Sequence, residues 1–143
     1  MHTMPQECIV VVFWSPHCPH CQQAIPLLYE KYEKELKALG VGVYAVADAR
    51  DSSLFYDWRA FIRTNHLDWV NVGVPWHVYR DWGRSPGTVV PAHTTAESIN
   101  YAETWEANST PQYYVLDKER RILAKPASLN EVMDAVHAYR GGH

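Results

Sequence analysis

Two cysteines, Cys18 and Cys21, are separated by two residues and directly follow a strongly apolar run. A Cys-x-x-Cys pair can bind a metal, form a structural crosslink or exchange electrons as a pair of thiols. Only a thiolate attacks a disulfide, and a free cysteine, with a pKa of about 8.5, is mostly protonated at neutral pH. The chemistry of this pair therefore depends on whether the chain around it stabilises one sulfur as an anion.

The residues that follow the first cysteine predict a helix with Cys18 at its start. Pro19 suits the first turn, because the N–H that proline lacks is not needed there. Unpaired backbone donors and the positive end of the helix dipole favour negative charge on Cys18, and His20 adds to this if it is protonated. Cys21 lies one turn deeper, where burial should keep it protonated. We therefore expect Cys18 to attack a disulfide and Cys21 to resolve the mixed disulfide.

A metal site is a weaker interpretation of the same residues. Structural zinc usually has four ligands with a second pair at a distance, and the chain has no second Cys-x-x-Cys. His17 and Cys18 are adjacent and cannot easily share one tetrahedron with Cys21. We therefore predict no metal and no other cofactor. We expect His17 to be a surface residue that lines the site, and Cys8 to be a buried, inert thiol.

The elements that position the cysteines are predicted to be two buried strands joined by a helix. The run CIVVVFW, Cys8–Trp14, is continuously β-branched and aromatic, which is typical of a strand buried on both faces. An apolar stripe over 19–39 predicts a helix that ends at Gly40, and Val41–Ala47 predicts a second buried strand. Strands connected in this way run parallel, and the cysteines then lie at the carboxyl edge of the first strand, where α/β proteins usually build their sites.

The second half of the chain predicts shorter elements around one irregular segment. That segment, residues 75–96, holds three prolines and two glycines and is longer than most connections in a compact domain. We hypothesise that this insertion borders the cysteine pair and contributes to the choice of partner. The other predicted elements are a helix over 53–66 with a buried stripe of Leu54, Phe55, Trp58, Phe61 and Ile62, a short strand within WVNVGV, a helix over 97–107, a hairpin of 112–116 and 121–124, and a last helix over 129–139.

Charge and hydropathy restrict the classes of partner. Thirteen basic and sixteen acidic residues give a net charge of −3 without a run of like charges, which is not the pattern of a nucleic-acid-binding or membrane-surface protein. No stretch approaches the roughly 20 apolar residues that span a bilayer. We expect a single monomeric domain over residues 1–143, with proteins or small molecules as partners, no nucleic acid and no membrane span.

The order of these elements resembles the thioredoxin fold, and within it the extracytoplasmic TlpA/ResA-type thiol-disulfide oxidoreductases. The matching residues are FWSPHCPHC, with Trp14 four positions before the first cysteine, Pro26 five positions after the second, and STPQYYVLDKERRILAK from 109 to 125. The resemblance implies an α/β, thioredoxin-like fold: a central mixed β-sheet flanked by helices, with an insertion before the strand that follows Pro111.

The resemblance also implies where a substrate would bind and which residues tune the thiols. Pro111 would be a cis-proline beside the redox pair, and the backbone of Thr110 would pair with an extended substrate chain. Trp14 stands where it could shield the thiols, although a large aromatic residue that ends a buried strand is also ordinary packing. Some thioredoxins carry a buried acid six residues before the first cysteine, but this chain has Val12 there. The proton of Cys21 must therefore leave to another base or to water.

The activity that the resemblance implies is disulfide exchange with a protein dithiol or disulfide, served by an upstream electron donor or acceptor. Reduction ranks first, but the Pro-His pair between the cysteines also resembles the oxidant DsbA, since a stabilised thiolate raises the reduction potential. A protein- or glycan-binding module with a static disulfide is a further alternative. Resemblance alone implies a periplasmic or otherwise extracytoplasmic location. The chain shows no signal peptide, and the absence of the hairpin that commonly precedes the first strand suggests a missing upstream segment.

Overall fold

The structure is a computed structural model of the chain and describes residues 5–49, 51–73 and 110–141. The predicted insertion over 75–96 and the predicted helix over 97–107 lie outside the described residues. In chain order the described elements are β1 (Cys8–Trp14), α1 (Pro19–Lys31), a π-helical turn (Tyr32–Leu36), β2 (Val41–Ala47), α2 (Ser52–Asn65), β3 (Val70–Val72), β4 (Gln112–Leu116), β5 (Ile122–Ala124) and α3 (Leu129–Gly141).

The five described strands form one mixed sheet in the order β3-β2-β1-β4-β5. β1 is parallel to β2, and β2 is parallel to β3. β4 runs antiparallel to β1, with Gln112 opposite Phe13, and β5 runs antiparallel to β4. This is the predicted mixed α/β sheet. Because β1 ends at Trp14 and β4 begins at Gln112, the end of one strand and the start of the other meet at the same edge.

β1 is buried along its whole length, as its continuous apolar sequence predicts. Successive side chains point to opposite faces of the sheet, and each face of β1 belongs to a separate apolar cluster. Burial of a large aliphatic side chain such as Ile9 stabilises the fold by about 1.5–3 kcal/mol. On the face covered by helices the cluster includes Val10, Val12 and Trp14 of β1, Cys21, Ile25 and Leu28 of α1, and Val132 and Val136 of α3. The opposite face includes Ile9, Val11, Phe13, Tyr114 and Leu116.

The helix after the cysteines departs from the prediction in its winding. We predict one helix over 19–39, whereas α1 ends at Lys31 and a π-helical turn follows, with the Lys37 amide donating to the Tyr32 carbonyl at 2.9 Å. A π turn adds only one residue to the helix, so the apolar spacing fits either winding. Pro26 lies inside α1. The helical segment ends at Leu36, three residues before the predicted end, and a turn then leads to Gly40, whose φ of 75° favours glycine.

α2 is present but less buried than predicted. The Asp51 side chain caps it by accepting from the Leu54 amide at 2.8 Å, and His66 ends it in the left-handed conformation. The prediction of a buried apolar stripe is correct only for Trp58; the other four stripe residues are half-buried. α2 also contacts the core through Phe61, whose ring lies 5.2 Å from that of Trp14.

The hairpin after the Thr-Pro dipeptide follows the prediction closely. Asp117 is buried in the turn between β4 and β5, where its carboxylate accepts from the amides of Glu119 and Arg121 at 2.9 Å each. These bonds provide acceptors for two amides of the turn that do not take part in strand pairing. Across the described ranges, no helix has the length and apolar character needed to cross a membrane.

Candidate functional site

Cys18 lies at the point where β1 has ended and α1 begins. Its amide donates to the Ser15 carbonyl at 3.1 Å, and its own carbonyl accepts from the Gln22 amide at 3.0 Å, which starts the helix. Pro19 opens the helix, as predicted, and the Cys18 side chain makes no capping hydrogen bond. The sulfur is half-buried, so it is accessible at the carboxyl edge of the sheet.

Cys21 lies one helical turn further on and is fully buried. Burial is the main reason why the pKa of the Cys21 thiol is raised to about 11, and the neighbouring Cys18 sulfur raises it further. Hydrogen bonds with the Ser15 backbone and the Thr110 side chain act in the opposite direction. The Cys21 thiol is therefore protonated at neutral pH.

The pKa of Cys18 is lowered, in the predicted direction. Partial burial acts against this, but hydrogen bonds from the Cys21 thiol and the Cys21 amide outweigh it, with further bonds from the Thr110 side chain and the His20 amide. The helix start thus supplies the donors, as predicted. The predicted charge effect of the His20 imidazole is not among the causes; His20 acts through its backbone, and its side chain is exposed.

Thr110 and Pro111 lie beside the cysteines although they are far away in sequence. The Thr110–Pro111 peptide bond is cis, as the resemblance implied. The Cys18 thiol donates to the Thr110 carbonyl at 3.4 Å across 92 residues of chain. The resemblance implied a role only for the backbone of Thr110. The Thr110 side chain also acts to lower the pKa of both Cys18 and Cys21, so Thr110 is the one described residue outside α1 whose side chain acts on both.

Trp14 is fully buried beneath the cysteine turn rather than exposed beside it. It packs on Phe61 of α2, and its carbonyl accepts from the Asp48 amide at 2.9 Å. Its indole N–H is buried and has no hydrogen-bond partner among the described residues. Packing of the Trp14 side chain therefore supports the floor of the site, and Cys18 borders the same apolar cluster.

Val12 stands where some thioredoxins have a buried acid, and in the part of the chain that the structure describes no carboxylate shifts the pKa of Cys21 in its place. Val12 pairs across the strands with Tyr113 of β4, and burial, followed by the charge of Cys21, raises the pKa of the Tyr113 phenol. This phenol stays protonated at neutral pH, so it is not a base for Cys21. Among the described residues, no acid is one of the groups that shift the pKa of Cys21.

Two contacts of the cysteine turn were not predicted from the sequence. The Gln22 side chain donates to the Pro16 carbonyl at 2.8 Å. The His17 Nε2 lies 2.6 Å from Asp57 Oδ2 of α2, and both side chains are exposed, at 45% and 58%. His17 does lie on the surface, as expected. Within the described ranges, no group of three or more His, Cys, Asp or Glu side chains is placed to hold a metal ion.

The Thr110 side chain is predicted to lower the pKa of both thiols. Thr110→Val keeps the shape of this residue but removes the hydroxyl, so the pKa of Cys18 should rise and its alkylation by iodoacetamide at neutral pH should slow about three- to tenfold. Rates measured between pH 5 and 10 give the pKa directly. Thr110→Ser keeps the hydroxyl and should behave like the parent protein. An unchanged rate in Thr110→Val contradicts the assignment.

Known proteins match this chain in fold but not in sequence. No protein-family model matches the chain, and no curated protein matches it significantly in sequence. Solved structures do match its fold. The thioredoxin domain of a thiol-disulfide oxidoreductase from Bacteroides vulgatus aligns with a TM-score of 0.69 and 19% identity, over 97% of this chain and 83% of that one.

Two further structures give the same result. A thiol:disulfide interchange protein from a Bacteroides species aligns with a TM-score of 0.70 and 18% identity, over 99% of this chain and 78% of that one. StoA from Bacillus subtilis aligns with a TM-score of 0.62 and 15% identity, over 91% of this chain and 82% of that one. The chain therefore has a thioredoxin-like fold, as the resemblance to TlpA/ResA-type proteins implied.

Proposed function

We propose that the chain is a thiol-disulfide oxidoreductase that exchanges disulfides with a protein substrate through Cys18 and Cys21. The observation that carries this proposal is the opposite shift of two neighbouring thiols. The accessible Cys18 has a lowered pKa, whereas burial raises that of Cys21 to about 11. A static crosslink or a packing cysteine has no need of this difference, whereas a nucleophile and its resolving partner require it.

The exchange follows from the positions of the two sulfurs. The Cys18 thiolate attacks one sulfur of a substrate disulfide, forms a mixed disulfide, and expels the other substrate sulfur as a thiolate. Cys21 then loses its proton and attacks the Cys18 sulfur, which closes the Cys18–Cys21 disulfide and expels the second substrate sulfur. Two electrons pass to the substrate. Its two thiolates take up the proton from Cys21 and one from water, and an upstream electron donor reduces the pair again.

We assign the other predicted site residues to supporting roles. A substrate chain whose cysteine reaches Cys18 must pass the backbone of Thr110, since the Thr110 carbonyl lies 3.4 Å from the Cys18 sulfur. Thr110 and Pro111 would hold that chain in an extended form. Pro19 and His20 shape the first turn of α1, and Trp14 packs below it. The proposal includes a monomer acting in a periplasmic or otherwise extracytoplasmic compartment.

We propose that net flow is reductive, in keeping with the resemblance to TlpA/ResA-type proteins. One observation favours the opposite direction. The hydrogen bonds that lower the pKa of Cys18 stabilise the thiolate, and a stabilised reduced form makes a pair more oxidising. A DsbA-like oxidant is therefore the second candidate. Equilibration with glutathione separates the two: a reduction potential near −120 mV, about that of DsbA, favours the oxidant.

Insulin reduction by dithiothreitol tests the proposed activity. The chain should accelerate precipitation of the insulin B chain well above the rate with dithiothreitol alone, and the oxidised Cys18–Cys21 pair should be reduced readily by mild dithiol. A binding module with a static disulfide should show no acceleration and should resist mild reduction. That second result rejects the proposed function.

A further inference from the structure

The turn before Cys18 is held by two kinds of contact. Within the turn and α1, the His17 amide donates to Ser15 Oγ at 3.2 Å and the Gln22 side chain donates to the Pro16 carbonyl at 2.8 Å. The third contact is different, because His17 Nε2 pairs with Asp57 of α2, 40 residues away. Local contacts shape the turn, and the contact with Asp57 fixes the turn relative to another element.

The hydrogen bonds that stabilise the Cys18 thiolate also fall into two kinds. Those from Cys21 and His20 come from the first turn of α1 and move together with Cys18. The one from the Thr110 side chain comes from just before β4, on the other side of the site, where the Thr110 carbonyl also accepts from the Cys18 thiol at 3.4 Å and so places the two residues side by side. Only the second kind depends on how the cysteine turn is placed relative to the rest of the fold. A small displacement of the turn would weaken the contact with Thr110 and leave the helical donors intact.

We propose that the His17–Asp57 pair is a positioning contact for the thiol chemistry: it holds the turn before Cys18 against α2 and thereby keeps the Cys18 sulfur beside Thr110. This inference rests on the proposed role of Cys18 as the attacking thiol. The pair is exposed, and exposed ion pairs contribute little to folding stability. The pair affects the thiol chemistry because it fixes the position of His17, the residue directly before Cys18.

A purely electrostatic role makes the opposite prediction. If the imidazolium of His17 acted on Cys18 through its charge, loss of Asp57 would leave that charge unneutralised and Cys18 would become more acidic. If the pair acts by position, loss of Asp57 loosens the turn, and Cys18 becomes less acidic. His17 is not among the groups that shift the pKa of Cys18, which favours position.

Three variants at two sites decide between these roles. Asp57→Ala removes both the charge and the acceptor, whereas Asp57→Asn removes the charge but keeps an amide oxygen that accepts from His17. Glu30→Ala breaks another exposed pair, Glu30–Lys34 at 2.7 Å, which joins α1 to the π-helical turn and has no link to the site. In the reduced protein, the rate of Cys18 alkylation by iodoacetamide is measured against pH by mass spectrometry, and urea unfolding checks the stability of each variant.

We expect Asp57→Ala to raise the pKa of Cys18 by about half a unit, which slows alkylation about threefold at pH values below that pKa. Asp57→Asn and Glu30→Ala should match the parent protein. In a Thr110→Val background, Asp57→Ala should have little further effect on the pKa of Cys18, because the Thr110 hydroxyl that lowers this pKa is already absent. A lower or unchanged pKa in Asp57→Ala, equal effects of Asn and Ala, or full additivity with Thr110→Val each overturns the proposal.

The alkylation readout needs no substrate, so it separates this inference from the proposed function. A parent protein that fails to reduce insulin rejects the proposed activity, while the order of the Asp57 variants still decides whether the pair positions Cys18. A loss of folding stability in Asp57→Ala together with an unchanged pKa of Cys18 would show a structural role only, and would also overturn the proposal.

Discussion

Cys18→Ser is expected to abolish disulfide exchange, with insulin reduction falling by about 10³-fold or more to the dithiothreitol background. The reason is chemical: a serine hydroxyl stays protonated at neutral pH and forms no disulfide. Neither a helix start nor the donors from Cys21 and Thr110 can compensate, because they stabilise a thiolate that is no longer there. The substitution changes one atom in a half-buried position, so the fold should be retained.

Cys8→Ala is the matched control for this prediction. Cys8 is fully buried at the start of β1, and burial raises the pKa of its thiol to about 11. Cys8 is therefore a third thiol of the chain that presents no accessible thiolate. Cys8→Ala should reduce insulin at the parental rate once its folding has been verified by circular dichroism. Residual exchange by Cys18→Ser that disappears in the Cys18→Ser, Cys8→Ala double variant would contradict the assignment of Cys18 as the attacking residue.

Cys21→Ser has the second largest expected effect, and it differs in kind. Cys18 can still attack, but no sulfur follows to expel the substrate, so the mixed disulfide accumulates as a covalent complex that dithiothreitol dissolves. Turnover should fall about tenfold or more, since only external thiol can release the substrate. Non-reducing gel electrophoresis after mixing with a disulfide-containing protein shows the complex.

A comparison of Cys21→Ser with Cys21→Ala separates the two roles of Cys21. The Cys21 thiol donates a hydrogen bond that lowers the pKa of Cys18, and a serine hydroxyl can replace this donor whereas a methyl group cannot. Both variants should trap substrate, but the Ala variant should trap it more slowly at neutral pH. Equal trapping rates would mean that the Cys21 thiol does not stabilise the Cys18 thiolate, and a lack of trapping in both would reject Cys21 as the resolving residue.

The sequence defined the strands around the site well, and the reason is burial. β1 and β2 have the predicted bounds, Cys8–Trp14 and Val41–Ala47, because a strand covered on both faces needs an uninterrupted apolar run, and such a run ends where the covering ends. Gly40 was a useful signal for a different reason: it lies in the turn after the helical segment, where its positive φ suits glycine. The π-helical turn was missed, because one inserted residue does not disturb an apolar stripe.

The features of the site that depend on residues close together in the sequence were predicted correctly. The order of acidity of Cys18 and Cys21 follows from their places in one helical turn, which their spacing already contains. Two other contacts could not be predicted from local spacing: the action of the Thr110 side chain on the cysteines and the pair between His17 and Asp57. They join residues that come together only when strands and helices pack. Polar contacts of this kind have no periodicity in sequence, and a single sequence gives no other signal for them.

The distance along the chain between Cys18 and Thr110 has a consequence for biosynthesis. The first 47 residues contain β1, α1 and β2, and therefore both redox cysteines at their final spacing. The contact at the Cys18 sulfur, however, comes from a residue 92 positions later. During synthesis, the native surroundings of Cys18 are therefore complete only after Thr110 has been made and β4 has paired with β1. The acidity of Cys18 thus depends on the assembly of the sheet and not on the helix start alone.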